Sequence, residues 1–210
     1  MRNRVILAAC LALSLTTAPP ALTHSLDELE SDLLDREAYL EVVYRPAPEF
    51  SLTAPDGREV GLSDYHGMVV VLWFLYTNCP DVCPLHSEKV ARIQEMANAT
   101  PMREAVQFIA ITTDPARDTA AVLAEYADIH GLDPTNTVLL SSGAAKPAAT
   151  RELAARYGLE FTQQGDEYQL HVAVTHLIDK SGNLRARYHG LKFDPTTFVL
   201  HLNALTNDYH

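Results

Sequence analysis

Two thiols, Cys79 and Cys83, stand four residues apart in the stretch Thr77-Asn78-Cys79-Pro80-Asp81-Val82-Cys83-Pro84. They follow directly on the apolar run Val69-Val70-Val71-Leu72-Trp73-Phe74-Leu75-Tyr76. A thiol pair at the end of a buried strand can exchange electrons through a reversible disulfide or clamp a soft metal ion. The only other cysteine is Cys10, near the N-terminus. A disulfide between positions 79 and 83 closes a very short loop and restricts the unfolded chain little. The pair therefore reads as functional rather than as a staple.

The spacing predicts a helix over residues 84–99, with proline allowed in its first turn. Unpaired N–H groups at a helix start favour thiolate over thiol. A thiolate is both the nucleophile of disulfide exchange and a ligand for soft metals. Soft thiolates select Cu(I), with zinc the common rival. Zinc asks for four ligands in a closed site, so two cysteines and one histidine suit a three-coordinate copper ion better. The chain has nine histidines. His86 follows Cys79 and Cys83 at i, i+4, i+7, one helical face. His171 opens the run His171-Val172-Ala173-Val174-Thr175-His176-Leu177-Ile178-Asp179. His176 sits five residues further on, so in a strand it faces the other way. On residue types and spacing alone, His86 and His171 rank equally.

The elements that must hold these groups are legible in outline. Residues 50–52 and 60–62 flank the turn Pro55-Asp56-Gly57 and predict a hairpin. Residues 69–76 and 107–113 are continuous apolar runs of strand length, consistent with strands buried on both faces. A helix capped by Asp118 runs to Gly131, a third strand covers 137–140, and a helix over 148–157 is closed by Gly158. Strands over 168–178 and 184–188 flank a turn, and Asp194 opens a terminal helix to 205. This order, a hairpin, then βαβαβα, then a ββα unit, gives a central mixed sheet flanked by helices. A thiol pair between the first core strand and its helix is the layout of a thioredoxin-like fold.

Length and composition agree. The chain has 210 residues, 47% hydrophobic, enough for one domain with a sizeable core. A net charge of -11 argues against nucleic-acid binding through phosphates. Arg2 and Arg4, the apolar stretch 5–15 and the small residues after it read as a secretory leader. That stretch is too short to span a bilayer as a helix. The expected division is a signal peptide over 1–24, cleaved or retained as an anchor, a tether or short helix over 25–48, and a thioredoxin-like domain over 49–210.

From about Phe50 to Tyr188 the chain resembles the Sco/SenC family of extracytoplasmic copper proteins. The resemblance rests on Tyr76-Thr77-Asn78-Cys79-Pro80-Asp81-Val82-Cys83-Pro84, on Thr113-Asp114-Pro115-Ala116-Arg117-Asp118-Thr119, and on His171 followed by Leu177-Ile178-Asp179. It implies a thioredoxin-like fold and one copper, Cu(I) or Cu(II), held by Cys79, Cys83 and His171, with no ligand role for His86. It further implies a periplasmic or otherwise extracytoplasmic chaperone that loads the binuclear copper centre of cytochrome c oxidase. The partners would be a cuproprotein such as cytochrome c oxidase subunit II and other copper chaperones, with membrane contact only through a retained leader. The alternative is a thiol–disulfide oxidoreductase that uses the Cys79–Cys83 redox pair to reduce target-site cysteines. The sequence departs from the family where Leu170-His171-Val172 replaces the usual Asp-His-Ser, and where His176 replaces an aromatic residue.

Overall fold

The computed structural model describes residues 25–207 apart from residues 165, 166 and 171. In chain order the elements are α1 (Leu26–Arg36), β1 (Leu40–Pro46), β2 (Ser51–Thr53), β3 (Glu59–Gly61), β4 (Val69–Leu75), α2 (Val82–Asn98), β5 (Val106–Thr112) and α3 (Ala120–Ile129). There follow β6 (Thr137–Leu140), α4 (Ala149–Arg156), β7 (Phe161–Gln164), β8 (Glu167–Leu170), β9 (Val174–Ile178), β10 (Asn183–His189) and α5 (Pro195–Asn207). Six strands form one sheet in the order β1-β10-β9-β4-β5-β6. β4, β5 and β6 run parallel, and β9, β10 and β1 add antiparallel partners. This is the mixed sheet flanked by helices that the element order predicts.

β4 lies in the middle, and all seven of its residues are buried. An unbroken Val-Val-Val-Leu-Trp-Phe-Leu run has no polar face to turn to water, so it settles between two other strands. Each large apolar side chain buried there contributes roughly 1.5–3 kcal/mol. The strand is thus a rigid base for the loop that follows it. The β2–β3 hairpin stands apart and is tied to the end of β6 by a two-bond bridge between Thr53 and Ser141.

The segment expected as a tether or short helix is both a helix and a strand. Ser25 caps α1 in a reciprocal capping box with Glu28. β1 then pairs with β10 as an edge strand of the main sheet. The boundary expected near residue 49 therefore does not divide the structure, since Leu40 and Leu33 belong to the same core as β4. Buried Glu30 anchors α1 by an ion pair to Arg185 at 2.9 Å and a contact with His201 at 3.2 Å.

The strand expected over 168–178 is two elements. β8 pairs with β7, whereas β9 pairs with β4 and β10. Gly190 N–H donates to Ala173 O at 2.7 Å just before β9 begins, so the sheet ladder governs where that strand starts. Among the described residues, no helix is long and apolar enough to cross a membrane.

Candidate metal centre

The loop that carries the thiols leaves the end of β4 and enters α2. Cys79 N–H donates to Tyr76 O at 3.2 Å, closing a turn over Thr77 and Asn78. Asp81 occupies the N-cap position of α2 but makes no capping bond through its side chain. The Cys79 sulfur takes that role and accepts the Cys83 N–H at 3.3 Å. One thiol thus sits at the positive end of a helix while the other lies within its first turn. Both are free and buried, with Cys79 7% and Cys83 2% exposed.

The two thiols titrate as a pair. The hydrogen bond from Cys83 lowers Cys79 to about 5, against the opposing effect of burial, and backbone N–H groups of Asp81 and Cys83 assist. Cys83 moves the other way, raised by its bond to Cys79 and by burial, with the charges of Cys79 and Asp118 adding to the rise. Of the two sulfurs, Cys79 is the one whose surroundings favour the thiolate.

The helix face that carries Cys83 inward mixes polar and apolar residues. Its buried residues are Cys83, His86, Ser87, Val90, Ile93, Gln94 and Ala97, while Leu85 is exposed. Each polar member finds a partner. Trp73 Nε1 donates to Ser87 Oγ at 3.4 Å, and Ser87 Oγ meets the Tyr126 hydroxyl at 3.0 Å. Gln94 Nε2 donates to Asn136 Oδ1 at 2.6 Å.

Two of the three contending histidines, His86 and His176, are placed by the structure. His86 Nε2 lies 2.8 Å from Thr175 Oγ1, and burial lowers the ring to about 3. The expected i, i+4, i+7 face does not form, because α2 starts at Val82 and Cys79 lies before it. Among the described residues, no three His, Cys, Asp or Glu side chains gather as a metal-holding group. His86 therefore does not join the two sulfurs. His176 is fully buried in β9 between Leu72 O and Tyr157 O, each at 3.2 Å from a ring nitrogen, and packs edge-on against Tyr157 and Phe74. His171 lies outside the described residues. The two cysteines fit a soft metal by donor type and proximity.

Asp118 is the residue beside the thiol loop that sequence reasoning placed wrongly. It does not cap α3; Thr119 does, its hydroxyl accepting the Val122 N–H at 3.4 Å. Asp118 is 1% exposed and turns instead to the thiol loop. It accepts the Thr77 N–H at 3.2 Å, the Thr77 hydroxyl at 2.5 Å and the Thr112 hydroxyl. Its place in an Asp-Pro-x-Arg-Asp-Thr stretch was the available signal, but the partner lies 41 residues away.

A mixed sheet with a thiol pair between its central strand and the next helix defines a thioredoxin-like protein. The sequence pattern of the SCO1/SenC family matches residues 43–207. The chain belongs to the SCO1/SenC family. A stretch of 83 residues, 39% of the chain, is 41% identical to the mitochondrial SCO2 homolog of Bos taurus and covers 31% of that protein. The chain spans between about a third and about half the length of the first mitochondrial relatives it matches. The solution structure of apo Sco1 from Thermus thermophilus is 30% identical, with a TM-score of 0.61 over 79% of this chain and 94% of that one. Bradyrhizobium japonicum ScoI, solved with copper bound, is 25% identical, with a TM-score of 0.58 over 77% of this chain and 99% of that one.

Proposed function

We propose that this chain is an extracytoplasmic copper chaperone that holds one copper through Cys79, Cys83 and His171 and delivers it to a cuproenzyme, the binuclear copper centre of cytochrome c oxidase. The observation that carries the reading is the pair of free, buried thiols at the start of α2, with the Cys79 sulfur held by the Cys83 N–H. Such a pair offers two soft sulfur donors. Family membership and the copper-bound Bradyrhizobium relative support it. The leader over 1–24 would carry the domain out of the cytoplasm, and a subunit II-like cuproprotein would receive the ion. The test adds Cu(I) and Cu(II) to reduced protein and counts copper per chain with cysteines intact and alkylated. About one copper on the intact dithiol and none on the alkylated protein is expected. Stoichiometric copper on the Cys79→Ser, Cys83→Ser double variant sinks the reading.

The unequal thiols favour a second use of the same site. Cys79, lowered to about 5, is the attacking sulfur. It would form a mixed disulfide with a target and release one target thiolate. Cys83 would then close the 79–83 bond, release the second target sulfur and give its proton to it. Two electrons pass to the target. Copper and the disulfide compete for the same sulfurs, so copper should bind only the dithiol and protect it from alkylation.

A further inference from the structure

Asp118 is neither of the thiols nor any ligand named above, yet it is buried and its carboxylate accepts from three donors on the frame of the thiol loop. Two of the three come from a single residue, Thr77, through its N–H and its hydroxyl. Thr77 is a central residue of the turn that Cys79 N–H closes onto Tyr76 O. The third comes from Thr112 at the last position of β5, and Thr112 Oγ1 in turn accepts the Asp114 N–H at 3.0 Å. Thr113 N–H donates to Leu75 O at 2.8 Å beside them. One carboxylate therefore bolts the turn before Cys79 to the end of the neighbouring parallel strand. A carboxylate accepts hydrogen bonds only, and these three groups donate to it.

We infer that Asp118 is a positioning residue that sets where Cys79 stands relative to Cys83, acting through Thr77. The consequence for copper rests on the metal reading above; the consequence for the thiol itself does not. With the carboxylate in place, the turn cannot swing and the Cys79 sulfur stays buried over the Cys83 N–H. Without it, Thr77 loses two anchors together and the turn opens. Positioning groups of this kind are worth about ten- to a hundredfold in metal affinity.

The experiment uses the full chain, reduced, as wild type and as Asp118→Asn, Thr77→Val, Thr77→Ser and the Asp118→Asn, Thr77→Val double variant. Asparagine keeps the shape but turns an amide N–H₂ toward a donor. Valine keeps the shape but removes the hydroxyl. Asn136→Ala serves as the control, because Asn136 is a buried anchor at the far end of β5, donating to Val106 O at 3.1 Å. Two quantities are read on each: the rate of Cys79 carboxamidomethylation by iodoacetamide, located by mass spectrometry, and the Cu(I) dissociation constant from competition with a chromophoric chelator.

Asp118→Asn is expected to speed Cys79 alkylation by at least about threefold, since local opening exposes a sulfur now buried. It is expected to weaken Cu(I) by about tenfold. Thr77→Val should move both quantities the same way by less, and Thr77→Ser should restore wild-type values. The double variant should be no worse than Asp118→Asn alone, because both substitutions break the same contact. Asn136→Ala should lower the melting temperature and move neither quantity. Wild-type alkylation rates in Asp118→Asn and Thr77→Val overturn the inference, as do changes no larger than those in Asn136→Ala. If wild-type protein takes up no copper, the metal reading fails by itself, and the alkylation rates still decide the role of Asp118.

Discussion

His176 makes the stability of this fold sensitive to acid. The ring is fully buried and faces two carbonyls, Leu72 O and Tyr157 O. A neutral imidazole has one N–H and can satisfy only one of them. Two acceptors would favour the imidazolium, but burial outweighs them and lowers the ring from 6.5 to about 4. The sign follows from proton counts. Below 6.5 the unfolded chain takes up a proton that the folded chain refuses, so stability present above 6.5 is lost as pH falls toward 4. The span from 6.5 to about 4 is worth about 3 kcal/mol at 1.36 kcal/mol per unit. At pH 5 about 2 kcal/mol of this is already gone, a large share of a typical domain's 5–15 kcal/mol. The perturbation is His176→Phe, an apolar ring of similar size for the cavity against Tyr157 and Phe74. The assay is urea unfolding of copper-free protein at pH 8, 6.5 and 5. The wild type should lose about 2 kcal/mol more than the variant between pH 8 and pH 5. His86, lowered to about 3 mainly by burial and in part by the charge of His176, adds a loss to both proteins that cancels in its larger, burial-driven part. Equal pH dependence in the two proteins refutes the reasoning. So does a wild type that gains stability in acid, which would mean that both carbonyls hold an imidazolium.

Three further outcomes are expected. Burial raises the Glu30 carboxyl, but hydrogen bonds from His201 and Arg185 outweigh it and hold it below the usual range; Glu30→Gln leaves buried Arg185 with only the exposed carboxylate of Asp27 at 3.8 Å and should cost about 3 kcal/mol in urea unfolding, recovered in large part by adding Arg185→Met. His171→Ala should weaken copper binding much more than His86→Ala, measured by chelator competition on folded protein, because His86 is turned to Thr175; the reverse order would reject His171 as the third ligand. Gly158 closes α4 with φ at 90°, and a Cβ there would meet Arg187 Nη2 at 3.2 Å; Gly158→Ala should cost about 1–2 kcal/mol in thermal unfolding, and a neutral result would show that the turn relaxes.

Read alone, the residues determined the core strands β4, β5 and β6, the thiol loop and the class of chemistry. The 69–76 run, the two cysteines beside prolines and the 107–113 run are local patterns, and local patterns report period, burial and donor type directly. The β2–β3 hairpin, α2, β6, α4 and α5 were legible for the same reason. What the tertiary structure decided was which polar groups serve the site. Asp118 looked like a helix cap because a cap is a local role, yet its partner is Thr77, 41 residues back. His86 looked like a ligand because helical spacing ignores where the helix begins, and α2 begins after Cys79. The edge strand β1 is not legible locally because its partner β10 lies more than a hundred residues away, whereas the Ser25–Glu28 capping box before it is a local pattern. A buried polar side chain must find a partner, and the folded backbone, not the neighbouring sequence, supplies it.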